Sequence, residues 1–149
     1  MTEAVRRRIR RAARIVLIGP DGRVLLFRYI APKFDPFWIL PGGACDEGED
    51  FPSAAARELR EETGIATEPQ PIGLIREAEY DYLGEPVKSV EHFFHWRTAS
   101  LEIDTSGHTE LEREVMREHR WFTSAELSAW PETIYPLDLR NLVEGLARR

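Results

Sequence analysis

PGGACDEGEDFPSAAARELREETGI, residues 41–65, holds seven carboxylates in 25 positions and crowds Glu58, Glu61 and Glu62 into five. Its punctuation predicts one helix. Asp50 suits the N-cap, Pro52 falls in the first turn where its missing N–H costs nothing, and Gly64 suits the C-terminal stop. Stepping about 100° per residue from Glu58, Glu62 falls at roughly 40° and Glu61 at roughly 300°, so the three carboxylates share an arc of about 100°. Ala55, Ala56, Leu59, Thr63 and Pro52 form an adjoining small and apolar stripe. Like charges three and four apart on a helix repel by about 0.2–0.5 kcal/mol per pair. A helix that accepts this has either a solvated face or a cation beside it.

Hard divalent cations take oxygen ligands, and magnesium uses one or two carboxylates plus waters and substrate phosphates. Glu58 and Glu62, at i and i+4, stack one turn apart and can point at one ion. Gly42-Gly43 lets the backbone approach closely and can lend a carbonyl. Arg57 can hold a neighbouring glutamate or meet a phosphate. The motif ELREE alone does not separate a metal site from a solvated face, but the wider spacing does. Gly43, five residues, Glu49, seven residues, then Arg57-Glu58-Leu59-x-Glu61-Glu62-x-Gly64-Ile65 places nine residue types at fixed offsets.

That pattern resembles the Nudix box, and the chain is similar to the Nudix hydrolase family. The resemblance implies an α/β protein, an α/β/α sandwich with a mixed β-sheet. It also implies hydrolysis of a nucleoside diphosphate linked to another moiety, using Mg2+ or Mn2+. Residue by residue, it marks Glu58 and Glu62 as metal-binding glutamates, with Gly43 contributing a carbonyl. Glu61 is marked as a further ligand or water-activating group, and Arg57 as the residue that orients Glu58. Glu49 supports the site beside Gly42 and pairs with Arg57. Asp46 and Glu47 stand where the family often has Glu and Pro, with no consequence for the chemistry. On this reading metal and pyrophosphate together balance the crowded carboxylates.

Outward from the box, AARIVLI (12–18), the turn GPDG and RVLLFRYI (23–30) predict a β-hairpin, and WIL (38–40) a brief strand. Residues 72–82 and 87–99 flank LGEP as a longer hairpin. The connection 100–119 lacks periodicity and is rich in acids, and RWF (120–122) is a short strand. Thr123 to Glu126 form a capping box opening a helix, and 136–146 predict an amphipathic one. Nothing suggests a boundary, so the 149 residues read as a single domain, with 1–11 a flexible arginine-rich terminus or an edge strand.

Composition is that of a globular protein, 42% hydrophobic and 31% charged. No run approaches the roughly 18 apolar residues of a membrane span, and the arginine-rich start lacks the apolar stretch of a secretory signal. Cys45 is the only cysteine, which excludes an intrachain disulfide and favours the cytoplasm; it reads as a small loop residue rather than a nucleophile. Six arginines within residues 1–14 mask an acidic body, because the rest holds 25 acidic and 14 basic residues, a balance of −11. That argues against duplex nucleic acid as the main partner; the partner that the family resemblance implies is a small-molecule nucleotide. A homodimer is left open.

Outside the box, the connection 100–119 is the expected source of a further carboxylate. On an extended backbone Glu110 and Glu112 point the same way with Glu114 in register, and Glu112 is favoured as general base ahead of Glu110, with Glu61 the candidate on the helix. Tyr29, Phe34, Phe37 and Trp38 offer aromatic faces to a base. His92 and His95, three apart on a strand, face opposite sides and cannot share an ion. Two rival readings remain: a non-catalytic Nudix-like module that binds a nucleotide derivative as a sensor, and an enzyme that removes pyrophosphate from RNA 5′ ends.

Overall fold

The computed structural model describes residues 6–82, 84–116 and 118–148. In chain order these form β1 (Arg8–Ile18), β2 (Val24–Tyr29), β3 (Phe37–Ile39), β4 (Gly42–Ala44), α1 (Phe51–Thr63), β5 (Gln70–Tyr82), β6 (Glu85–Arg97), α2 (Glu110–Val115), β7 (Glu118–Phe122), α3 (Ser124–Ala129), β8 (Thr133–Tyr135) and α4 (Leu139–Ala147). The strands make one mixed sheet in the order β5-β6-β1-β2-β3-β8, with β4 on β1 and β7 on β2. β1 runs parallel to β6 along its whole length, and β3 runs parallel to β8.

Alternation along β1 builds two cores. Ala13, Ile15 and Leu17 face Ala54, Ala55 and Leu59 of α1. Val16 and Ile18 face the other way, toward Leu139, Val143 and Leu146 of α4, with Leu127 and Trp130 at the edge. Helices therefore cover both faces of a mixed sheet, as expected. β1 and β2 meet where Ile18 lies opposite Val24, then part. β4 takes the edge of β1 at Ala12–Arg14, and β7 takes that of β2. This parting lets the Gly42-Gly43 backbone enter beneath α1.

Of the local expectations, one is decided between its alternatives and two differ from the structure, and one strand lies outside them all. Of the two expectations for residues 1–11, a flexible terminus or an edge strand, Arg8–Arg11 take the strand: they extend β1 and pair with β6, while residues 1–5 lie outside the described residues. The connection 100–119 contains α2, opened by a reciprocal capping box between Thr109 and Glu112. β8, for which the sequence gives no separate expectation, is a three-residue strand whose ladder among the described residues is the parallel one to β3. Trp38 is no surface platform: its ring is 3% exposed among Phe122 and Trp130, and its Nε1 donates to Glu132 Oε1 at 2.9 Å. No helix among the described residues is long and apolar enough to cross a membrane.

The burial of Trp38 sets a stability expectation. Trp38→Ala is expected to cost about 3–5 kcal/mol, the usual range for emptying a large aromatic site in a core. Glu132 keeps its two bonds from Arg28, so the loss is one of packing. Urea unfolding checks it; a loss under about 1 kcal/mol would place the ring at the surface instead.

Candidate metal and active site

α1 begins as its sequence dictates. The Asp50 carboxylate accepts from Ser53 N–H at 2.8 Å, and Gly64, in the left-handed region, donates its N–H to Arg60 O. Burial is rotated from the expected stripe, however. Ala54 is buried, Pro52 is exposed, and Glu58 and Glu62 are 8% and 1% exposed. The cause lies in the glycines. Gly42 N–H donates to Glu62 Oε2 at 3.1 Å, and a Cβ on Gly43 would stand 2.6 Å from Glu58 Oε1. A Cβ on Gly42, whose φ is +142°, would meet Ala13 O at 2.0 Å. Only glycines let the backbone lie directly on the two carboxylates.

Arg57 is the hub of the exposed flank. Its Nε and Nη2 clamp both Glu49 oxygens at 2.9 Å, while Nη1 donates to Glu58 Oε1 at 3.2 Å and to Glu61 Oε2 at 3.1 Å. Nη2 also reaches Ala44 O at 3.1 Å. The hydrogen bonds from Arg57 hold the Glu49 carboxyl below its ordinary range. Glu58 and Glu62 move the other way. Burial pushes both up; Arg57 opposes this at Glu58, whereas the charge of Glu58 adds to it at Glu62. Two buried carboxylates that resist ionising together mark a place for a counter-charge.

A third carboxylate completes the cluster. Oxygens of Glu58, Glu62 and Glu112 lie within 4.8 Å of one another. The expected common orientation of Glu110, Glu112 and Glu114 fails because the segment is helical. Glu110 and Glu114, four apart, share one side, and Glu112 lies about 200° round. Glu112 enters the cluster; Glu110 is exposed and does not line the cavity over it. Glu61 stands outside the cluster, held by Arg57.

The positioning of α2 depends on a brace that sequence reading missed. Asp104 N–H donates to Thr63 O at 2.8 Å. Gly107 packs so closely on α1 that a Cβ would stand 2.6 Å from Glu61 O. The buried His108 bonds Glu62 O through Nε2 at 2.9 Å; a carbonyl only accepts, so Nε2 carries the proton. Thr109 then caps α2. The brace ties the end of α1 to the start of the helix that carries Glu112.

Over the carboxylates opens a cavity of about 530 Å³, walled by Tyr29, Phe34, Phe37 and Tyr80 and by Arg8, Arg10 and Arg14. Tyr29 and Phe37 stack with centroids 5.0 Å apart. Arg8, Arg10 and Arg14 share one face of β1, a period-two signal in RIRRAAR that favours the strand over the flexible terminus. His92 stacks on Phe51 at 3.5 Å, beneath Arg11, away from this site. Burial pushes the Cys45 thiol up, as befits a loop residue rather than a nucleophile. Three convergent carboxylates, two of them deeply buried, suit a hard divalent cation.

Comparison with known proteins agrees with this geometry. A NUDIX domain profile matches residues 8–143. An RNA pyrophosphohydrolase of Caulobacter vibrioides (strain NA1000 / CB15N) is 40% identical over 89 residues, 56% of this chain and 48% of that protein. The chain thus spans about half the length of the first curated relatives it matches. An RNA pyrophosphohydrolase of Erythrobacter litoralis (strain HTCC2594) is 30% identical over 144 residues, 87% of this chain and 83% of that one. The crystal structure of a MutT protein from Methanosarcina mazei Go1 superposes with a TM-score of 0.66 at 21% identity, covering 97% of each chain, a likeness of fold. With its box residues gathered at one site and the domain matched almost end to end, the chain belongs to the NUDIX family.

Proposed function

We propose that the protein is a divalent-metal-dependent pyrophosphohydrolase acting on a nucleoside diphosphate linked to another moiety. The observation that carries this is the convergence of Glu58, Glu62 and Glu112 beneath an aromatic-walled cavity. Glu58 and Glu62 would hold magnesium or manganese, with the Gly43 backbone beside them. When bound, the metal neutralises the pyrophosphate and lowers the pKa of a water. Glu112, carried on a separate helix, would be the carboxylate that accepts a proton from the attacking water. Arg57 fixes Glu58, Glu61 and Glu49, and Tyr29 and Phe37 offer a face to the base. A module that only binds nucleotides has no use for a water-activating carboxylate.

A second reading, removal of pyrophosphate from an RNA 5′ end, is favoured by the names of the relatives and by the arginines lining the cavity. The single cysteine fits a cytoplasmic setting. A panel of nucleoside diphosphate derivatives and 5′-triphosphorylated RNA, each with magnesium or chelator, tests both readings. Turnover of at least one compound with metal alone is expected; hydrolysis of none would overturn the proposal.

Metal binding is measurable without substrate. Magnesium or manganese is expected to raise Tm, whereas sodium at equal ionic strength is not. A ligand at a hundredfold excess over Kd stabilises the native state by about 2.7 kcal/mol, which for a chain of this size is a shift of roughly 5–10 °C. An identical melt in chelator, sodium and magnesium would count against a preformed site.

A further inference from the structure

The segment that carries Glu112 into the carboxylate cluster has almost no core of its own. From Asp104 to Met116 one residue, His108, is buried, and α2 itself buries none. A six-residue helix does not hold its place by propensity, because isolated helices shorter than about 12–15 residues are marginal in water. We propose that His108 is a positioning residue for the proton transfer: it anchors α2 so that the Glu112 carboxylate converges on Glu62. The inference rests on the pyrophosphohydrolase reading, in which Glu112 accepts a proton from the attacking water. It names the residue through which that carboxylate is placed.

The anchor sits on the end of α1. The last four carbonyls of a helix lack intrahelical partners, and the chain from Asp104 to His108 covers three of those on α1 in succession. Gly107 lies against Glu61 O, His108 Nε2 donates to Glu62 O at 2.9 Å, and Asp104 N–H donates to Thr63 O at 2.8 Å. The imidazole also meets the buried Phe27 ring edge-on, with centroids 5.4 Å apart. The segment is closed on itself as well. His108 N–H donates to Thr105 O at 3.1 Å, Ser106 N–H to Asp104 Oδ1 at 2.9 Å, and Arg113 Nη2 reaches back to Ser106 O at 3.0 Å. His108 touches none of the reacting groups; it meets Glu62 at the backbone only.

From His108 the path to Glu112 is short and stiff. Thr109 Oγ1 accepts Glu112 N–H at 3.1 Å, while Glu112 Oε1 accepts Thr109 N–H at 2.9 Å. Glu112 stands three residues past this cap, roughly 4.5 Å along the helix axis, and its carboxylate is tied to the residue that follows His108. A shift at His108 therefore moves the carboxylate with it. At the far end Val115 O accepts Ile30 N–H at 2.7 Å, a point about which α2 can pivot once the anchor is lost. A misplacement of about 1 Å costs on the order of 10²-fold in rate, so an anchor remote from the water still governs turnover.

Three substitutions separate positioning from mere structure. His108→Phe keeps a ring against Phe27 and removes the donor. His108→Asn keeps an amide too short to reach Glu62 O, and His108→Gln returns a donor at the reach of Nε2. The first readout is hydrogen exchange of the metal-free protein at Arg113 and Met116, whose N–H groups bond Thr109 O and Glu112 O. In His108→Phe their protection is expected to fall about tenfold, the scale of one hydrogen bond, with α1 unchanged and His108→Gln restored. The second readout is kinetic, on a substrate found with the panel above. There kcat is expected to fall about 10–100-fold in His108→Phe and His108→Asn, while KM and the magnesium-dependent rise in Tm stay near wild type. His108→Gln recovers most of the rate. Added to Glu112→Gln, His108→Phe changes kcat by less than about threefold, because an effect transmitted through Glu112 vanishes with it. Should His108→Phe not fold, His108→Asn takes its place in every comparison. Unchanged exchange in α2, wild-type kcat, a loss that His108→Gln does not recover, an equal loss of the magnesium effect, or full additivity with Glu112→Gln each overturns the inference. Absence of turnover in the wild type would instead overturn the hydrolase reading, and the exchange readout would still decide the anchor.

Discussion

Glu62→Gln is expected to lose turnover by on the order of 10²–10³-fold or more, the scale on which removing one preorganised charge-stabilising group slows an enzyme. The metal-free protein is expected to gain stability at the same time. Glu62 is 1% exposed, receives one hydrogen bond from Gly42, and lies against the like charge of Glu58. Glutamine keeps the acceptor for Gly42 N–H, adds donors toward Glu58 and removes a buried charge. Relieving that cost is worth about 1–3 kcal/mol. The pH dependence has a definite sign. Both carboxyls have folded pKa values raised above the ordinary range, chiefly by burial. Their contribution to stability is complete below the ordinary carboxylate pKa and is lost as pH rises through the raised folded values. In chelator, wild-type Tm therefore falls with rising pH more steeply than that of Glu62→Gln, and magnesium restores the wild type alone. Glu58→Gln shows the same pattern with a smaller gain, because Arg57 already offsets part of its charge. Near wild-type turnover in either variant would remove the metal assignment.

The signals legible in sequence are those whose parts lie within one or two turns. Asp50, Gly64 and the spacing from Gly43 to Ile65 need no tertiary information, and they locate the carboxylates and the clamp between Arg57 and Glu49. The depth to which Glu58 and Glu62 sink is not readable, because it depends on β4 lying against β1, residues about 30 positions away. The same limit leaves Arg8–Arg11 undecided between a flexible terminus and a strand. Charge at a terminus reads as solvated until a parallel partner, β6, is known some 80 residues later. Trp38 resembles a platform because aromatic residues before the box are equally suited to core and cavity; Glu132 decides for the core by accepting its Nε1–H. α2 does carry a readable signal. Thr109 and Glu112 stand at capping-box spacing, and that local cue outweighs the absence of apolar periodicity in a six-residue helix.

The helical state of α2 sharpens what is expected of its carboxylates. Glu112→Gln is expected to lose on the order of 10²–10⁴-fold in turnover, the range for removing a general base. Glu110→Gln is expected to stay near wild type, since Glu110 is exposed and outside the cluster. The substitution is clean in one respect. Glu112 Oε1 accepts Thr109 N–H at 2.9 Å, and glutamine serves a capping box as well as glutamate, so α2 and the brace at His108 stay in place. Two roles then separate. If Glu112 is the base, kcat falls, the acidic limb of the pH–rate profile disappears, and the magnesium dependence of Tm is preserved. If Glu112 is instead a ligand beside Glu58 and Glu62, magnesium affinity falls with turnover. Glu61→Gln tests the alternative on α1. Glu61 is held by Arg57 at 3.1 Å and lies apart from the three converging oxygens, so its loss is expected to be the smaller. Should Glu61→Gln remove the acidic limb while Glu112→Gln keeps full activity, the proton acceptor belongs to α1, and the convergence of Glu112 serves another end.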